Sequence, residues 1–197
     1  MLRRLFVKET FEHIEEELKT IYQTLGIEEK KLKIKKQSAT YSKPYTYTVE
    51  GTFNEHRFVL SLHQTPLKVE KLRQQLELIL QCENPSWMTL VLRRKNALAL
   101  NAKKTLGTTP ITQLKNVNLD RLIVESSDQE YTKELFDVAM GKKAAIMDGI
   151  KFSSFVLERK RLYIQMPWLP DNFSKRQALI QLLDFSINLV KKIDARK

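Results

Sequence analysis

The stretch "QLELILQCENPSWMTLVLRRK" at residues 75–95 decides the fold class. Together with the preceding "TPLKVEKLRQ" it supports two readings. As a helix, Thr65 is an N-cap, Pro66 takes the first helical position, and Leu72, Leu76 and Ile79 recur at helical steps. As strands, Leu76, Leu78, Leu80 and Cys82 share one face, and Asn84-Pro85-Ser86 turns the chain into a second apolar run. Alternation favours the second reading. We therefore expect a β-hairpin here, following a short helical turn.

Upstream, the same period of two recurs. "YTYTVEGTF" (45–53) and "HRFVLSLHQ" (56–64) alternate, with Asn54, Glu55 and His56 as the turn between them. Ahead of them, "EEKKLKIKK" (28–36) sets five lysines around Leu32 and Ile34. Read as a strand, it puts Lys31, Lys33 and Lys35 on one face and turns Leu32 and Ile34 to the core. Two apolar residues commit little to a core, so the expected position is a sheet edge, where lysines discourage pairing with another chain. Before this, "KETFEHIEEELKTIYQTL" (8–25) places Phe11, Ile14, Leu18, Ile21, Tyr22 and Leu25 at helical spacing, with Gly26 as the stop. Glu12, Glu15 and Glu16 fall on the wet side.

Downstream, the polar segment "NAKKTLGTTPITQLKNVN" (101–118) reads as a loop and internal boundary. "LDRLIVESS" is a strand, and Ser127 with Glu130 forms a capping box for a helix through about Met140. "GKKAAIMDG" is a short helix or turn, and "KFSSFVLE" and "RLYIQMPW" are strands joined at Arg159-Lys160. Ser174 caps a long amphipathic helix with Ala178, Leu182, Phe185, Leu189 and Ile193 on one face. The expected fold is α+β: an N-terminal helix and antiparallel β-meander, then a β-α-β-β-α half ending in a long helix. We expect residues 1–197 to form a single domain, at most two tightly packed halves covering 1–100 and 119–197.

Bulk properties fit a soluble globular chain with a proper core: 42% hydrophobic, 29% charged, and only 5 Gly and 6 Pro. No apolar run reaches the roughly 20 residues that span a bilayer. "MLRRLFVKETFEH" has no apolar segment of a signal peptide. The expected location is cytoplasmic, with membrane association on the cytoplasmic side as a variant, or a soluble piece of a longer membrane protein. Cys82 is the single cysteine, which excludes an intramolecular disulfide and a cysteine-only zinc cluster. Net charge is +11. Residues 1–29 hold four Lys or Arg against seven Glu, so the positive excess comes entirely from residue 30 onward.

"EGTFNEHRFVLSL", "LILQCENPSWMTLVL", "LDRLIVESSDQEYTKELF" and "LYIQM" with the closing helix resemble a loose group of uncharacterised bacterial domains. These share a Gly-x-x-x-x-Arg-hydrophobic hairpin, an acidic-capped helix and a final β-hairpin plus helix. Leu119 stands where that group usually has an aromatic before Asp120. The resemblance spans about residues 50–193 and implies a fold and a bacterial setting; some members sit behind transmembrane segments. It brings no catalytic residue.

No catalytic, cofactor or metal site is legible. His13 pairs at i, i+4 with Glu9 or Glu17, but zinc needs three or four converging ligands. His56 sits in a turn without a partner constellation, and an odd separation puts His63 on the opposite face. Cys82 reads as a buried structural thiol. Singly scattered glycines exclude phosphate-binding loops. Basic groups remain: Lys31, Lys33 and Lys35; Arg93, Arg94 and Lys95; Arg159, Lys160 and Arg161, with Lys103-Lys104 and Lys142-Lys143 beside them. The nine in the first three groups are the candidate anion-binding residues, and Tyr41, Tyr45 and Tyr47 could stack on bases unless Tyr45 and Tyr47, which share a face with Val49, belong to the core. Trp168, in "MPWLPDNF", reads as a plug between the last strand and helix. The expected function is non-catalytic binding or adaptor work for a protein partner, self-association included. The alternatives are electrostatic binding of nucleic acid or anionic lipid, and an unrecognised hydrolase. No specific small molecule or cofactor is implied.

Overall fold

The computed structural model describes residues 2–37, 45–66, 72–95, 107–111, 114 and 119–196. Tyr41 and Lys103-Lys104 lie outside them. Helix α1 (Leu2–Thr24) is followed by a 3₁₀ turn (Glu29–Lys31) and strands β1 (Lys33–Gln37), β2 (Tyr45–Phe53), β3 (His56–Pro66), β4 (Leu72–Gln81), β5 (Leu90–Arg94), β6 (Thr109–Pro110) and β7 (Leu122–Ser126). Helices α2 (Gln129–Leu135) and α3 (Val138–Met147) lead to β8 (Ser154–Glu158), β9 (Arg161–Met166) and α4 (Phe173–Asp194). The fold is α+β.

All nine strands join one antiparallel sheet in the order β1-β2-β3-β4-β9-β8-β5-β7-β6. Residues 72–81 are a strand, as their alternation requires, and Thr65 and Pro66 end β3 rather than start a helix. β4 and β5 are both strands but do not pair as the expected hairpin. The β8–β9 hairpin lies between them: Leu80 pairs with Leu162, and Leu90 with Leu157. The reason is register. "FVLE" and "RLYIQM" carry their own alternating apolar face and fill the gap with it. Strands from either side of residues 101–118 thus share the sheet, and that segment itself supplies the short edge strand β6.

One face of the sheet is the core. Val49, Leu60, Leu62, Leu76, Leu78, Leu80, Ile164, Leu157 and Leu90 are buried on it, and Ile14, Leu18 and Ile21 of α1 and Leu182, Phe185 and Leu189 of α4 cover them. α1 and α4 run side by side in the same direction: His13 Nε2 bonds the carbonyl of Asp171 ahead of α4, and Arg176 pairs with Glu17 at 2.7 Å. Phe155 and Phe185 meet at 5.8 Å between ring centres, tying the hairpin to α4.

Local chemistry sets the element ends. Asn54 and Glu55 both take positive φ, the two-residue hairpin turn matching the twist of β2 and β3. Gly26, at φ +69, ends α1. The expected helix from Ser127 through Met140 is two helices. Asp128, not Ser127, caps α2 by accepting from the Tyr131 amide, and Asp137 caps α3 by accepting from Met140 N. Phe136 between them leaves helical geometry. Asn172, rather than Ser174, caps α4 through Lys175 N. Each cap lies three residues ahead of the amide it reaches, and its side-chain oxygen satisfies a donor of the first turn. Trp168 is half-buried, its indole donating to the Lys151 carbonyl at 2.6 Å; its neighbour Leu169 is the fully buried plug.

Candidate interaction surface

The nine candidate basic residues fall into three separated places. β1 is the sheet edge, as the lysines require. Lys33 and Lys35 face away from the helices, but Ile34, on the helix side, stays 42% exposed; Leu32 packs against the core beside Gly51. Lys31 lies in the 3₁₀ turn and binds Glu28 at 2.7 Å, while Lys35 binds Glu50 at 2.8 Å. The lysine bonds hold the Glu28 carboxyl below its usual range, Lys31 first and then Lys30; Lys35 and Arg57 do the same for Glu50. Lys33 alone of this trio lacks an ionic partner among the described residues.

Arg93, Arg94 and Lys95 are committed internally. Arg93 pairs with the fully buried Glu125. Arg94 donates to the carbonyls of Asp148 and Ile150 and covers the ring of Phe152. Lys95 donates to the Leu119 carbonyl. These bonds hold the segment between α3 and β8 and the approach to β7.

Arg159, Lys160 and Arg161 form the β8–β9 turn at the opposite end of the sheet from Arg94. The turn stands four strand spacings, about 19 Å, from the lysine edge. Here the structure gathers features that the sequence reading passed over. Asn84, 1% exposed, donates from its one amide nitrogen to the carbonyls of Met88 (2.9 Å) and Arg159 (2.6 Å). Cys82 N donates to Lys160 O. Asp194, the last residue of α4, accepts from the amides of Glu83 and Asn84 with the same oxygen, and its other oxygen lies 3.6 Å from His56 Nδ1. The β4–β5 connection is thereby fixed to β9, to β3 and to the end of α4.

That fixed frame presents Trp87. Its amide closes a turn onto Asn84 O at 2.9 Å, its φ is +53, and the residue is 67% exposed. A left-handed conformation is costly for a bulky residue and persists only where surroundings impose it. Phe173 is comparably exposed, but the Arg176 guanidinium stacks on its ring at 5.2 Å. Trp87 has no such cover among the described residues. Beside it, Arg159 is also at positive φ, with its side chain 78% exposed and only a 3.9 Å approach to Glu158. Lys160 holds the exposed Glu83 at 2.9 Å, and Arg161 is exposed without a charged partner among the described residues. The signal for Trp87 was present in "ENPSW": an Asn-Pro-Ser turn followed at once by a large aromatic that no alternation places on the core face.

The sheet face away from the helices carries a second polar group. Glu77 accepts from Gln75 (2.5 Å), Tyr163 (3.1 Å) and Gln165 (3.4 Å), with His63 at 3.7 Å. Burial first, then Glu77, pushes the Tyr163 hydroxyl up to about 12, so it keeps its proton at neutral pH. The three donors all bond Glu77 Oε1, and Ser61, opposite Glu77 in the register, shares its hydroxyl with Thr48 at 3.3 Å. A cleft of about 140 Å³ beside Gly26, Lys31 and Phe53 is well below the roughly 300 Å³ of small-molecule sites. Among the described residues no cluster of His, Cys, Asp or Glu could hold a metal ion, and no helix is long and apolar enough to cross a membrane.

No family model and no curated protein matches the chain. Among solved structures it is similar to the mycobacterial trehalose monomycolate transport factor A, at 11% identity and a TM-score of 0.49, over 89% of this chain and 95% of that one. That degree of likeness leaves the function to be argued from this chain's own residues.

Proposed function

We propose that this chain is a non-catalytic protein-binding domain and that its partner docks on the Trp87 turn. The observation that supports this most is a large aromatic held in strained backbone, uncovered, on a frame of buried hydrogen bonds. Interface energy concentrates in a few Trp, Tyr and Arg residues, and prepaid ordering raises affinity because less freedom is lost on binding. Trp87 is bolted through Asn84, whose side-chain amide also holds the β8–β9 turn that carries Arg159, Lys160 and Arg161, and the pair of turns has that composition and that rigidity.

The test is a photo-reactive amino acid placed singly at Trp87 or at Ser174, an exposed position at the far end of the molecule, in the cell of origin. The expected result is a discrete protein adduct from position 87 and none from 174. Adducts from both positions, or from neither, would overturn the reading. Trp87→Gly is the matched loss-of-function variant. Glycine accepts positive φ without strain, so it should fold at least as stably while the partner is no longer retained.

A further inference from the structure

We infer that the partner of the Trp87 turn is an acidic peptide segment, whose carboxylates take the places of Glu83 and Glu158 on the β8–β9 turn. This rests on the protein-binding reading above and adds the chemistry of the bound segment. Arg159, Lys160 and Arg161 present three cations on two adjoining residues' worth of turn and the first residue of β9. Their own carboxylate partners are poor holders. Glu158 comes no nearer than 3.9 Å to Arg159, and the Lys160–Glu83 pair is largely exposed on both sides, a type of pair worth little in water. Incoming carboxylates therefore displace weak bonds. An aliphatic or aromatic residue of the same segment would cover the Trp87 ring. The +11 net charge adds a long-range field that speeds the approach of an acidic chain.

The same end also carries Glu28, Glu29 and Glu55 beside exposed Lys30, Lys31 and Arg57, charges of both signs at the ends of β1, β2 and β3, so the vesicle arm of the test below separates an anionic bilayer from a peptide segment.

The experiment uses the full chain and three probes: a fluorescein-labelled peptide alternating Glu with Leu, the same peptide with Gln for Glu, and phosphatidylserine vesicles. The acidic peptide is expected to bind at least about tenfold more tightly than the Gln version, with affinity falling as salt rises. Arg159→Glu with Arg161→Glu should weaken it by about tenfold or more, and Lys33→Glu with Lys35→Glu should leave it unchanged. Glu83→Gln, which releases Lys160, should tighten it a few-fold. Equal binding of both peptides, or a loss from the Lys33 and Lys35 changes equal to that from the turn, would overturn the acidic assignment. Sedimentation with the vesicles without peptide binding would overturn it in favour of a membrane surface. A Trp87 cross-link to a partner that shows no preference for carboxylates would sink this inference and leave the protein-binding reading standing.

Discussion

Arg93 Nε lies 2.6 Å from Oε1 of Glu125, and Glu125 is completely buried. The two stand diagonally across β5 and β7 on the face away from the helices, where Thr108, just before β6, adds a 3.4 Å bond to the other carboxylate oxygen. Removing Arg93 alone would strand a carboxylate in the interior. Arg93→Met should cost about 3–5 kcal/mol, whereas Arg93→Met with Glu125→Leu should recover most of that, because an apolar pair of similar size restores neutrality. Urea denaturation of the three chains checks this; a double variant no more stable than the single one would refute it.

Gly51 marks a close approach of another kind. A Cβ there would overlap Leu32 Cδ2 and come within 3.0 Å of the Phe58 ring. Leu32 is the residue that anchors the start of β1 to the core. Gly51→Ala should therefore destabilise by about 1–3 kcal/mol, chiefly by expelling Leu32, since Phe58 is itself buried. Adding Leu32→Ala should make the second change nearly free. Additive losses, measured by the same unfolding assay, would show that Phe58 is the obstacle instead.

Much of this architecture was legible in the chain, and its gaps have physical causes. Alternation in "QLELIL" correctly specified a strand, because one face of β4 is buried and the other half-open. It could not specify the neighbour: β4 and β5 are parted by a hairpin some 70 residues later, and nothing local encodes that. The lysines of residues 31–35 correctly indicated an edge, since a charged strand with two apolar residues has no second partner to pack against. Arg93–Lys95 looked like surface because charge was counted without its counter-charge. Glu125, alone in the apolar run "LIVE", was the available hint of a buried pair. Trp87 was missed for the opposite reason, because its exposure follows from a turn held by the side chain of Asn84, and one residue's hydrogen bonds to Met88 and to the β8–β9 turn leave no periodic trace.

Two helix caps contribute to acid sensitivity alongside Glu28 and Glu50. A bond from Arg196, then the Tyr131 amide, holds the Asp128 carboxyl below its usual range; Lys192, then the Met140 amide, does so for Asp137. In the unfolded chain both carboxyls take up protons near the ordinary value of about 3.9. Stability from these groups is thus complete above that pH and is lost as pH falls through the lower folded values. Asp128→Asn with Asp137→Asn keeps the caps, removes the charges, and should flatten the fall in urea midpoint below about pH 4. Alanine at either position should also cost about 1 kcal/mol at neutral pH, the value of the cap itself. An unchanged acid slope in the Asn variant would mean that other carboxylates dominate.

Cys82 offers a readout of the frame beneath Trp87. Its thiol is buried between β4 and the loop to β5, and burial, followed by the nearby Asp194 and Glu83 charges, pushes its pKa up to about 12. At pH 8 almost none of it is thiolate, the form that attacks disulfides and alkylating reagents. In the native protein Ellman's reagent should therefore react only through opening of the 82–89 connection. Asn84→Ala, which frees the carbonyls of Met88 and Arg159 from their shared donor, should raise that opening and speed the reaction by about tenfold or more while the fold persists. Trp87→Gly should not speed it, since the indole holds nothing down. Stoichiometric reaction of the unaltered chain within seconds would show that the thiol is accessible and the frame loose. A slow native reaction, accelerated by Asn84→Ala and not by Trp87→Gly, would separate the residue that builds the turn from the one it displays.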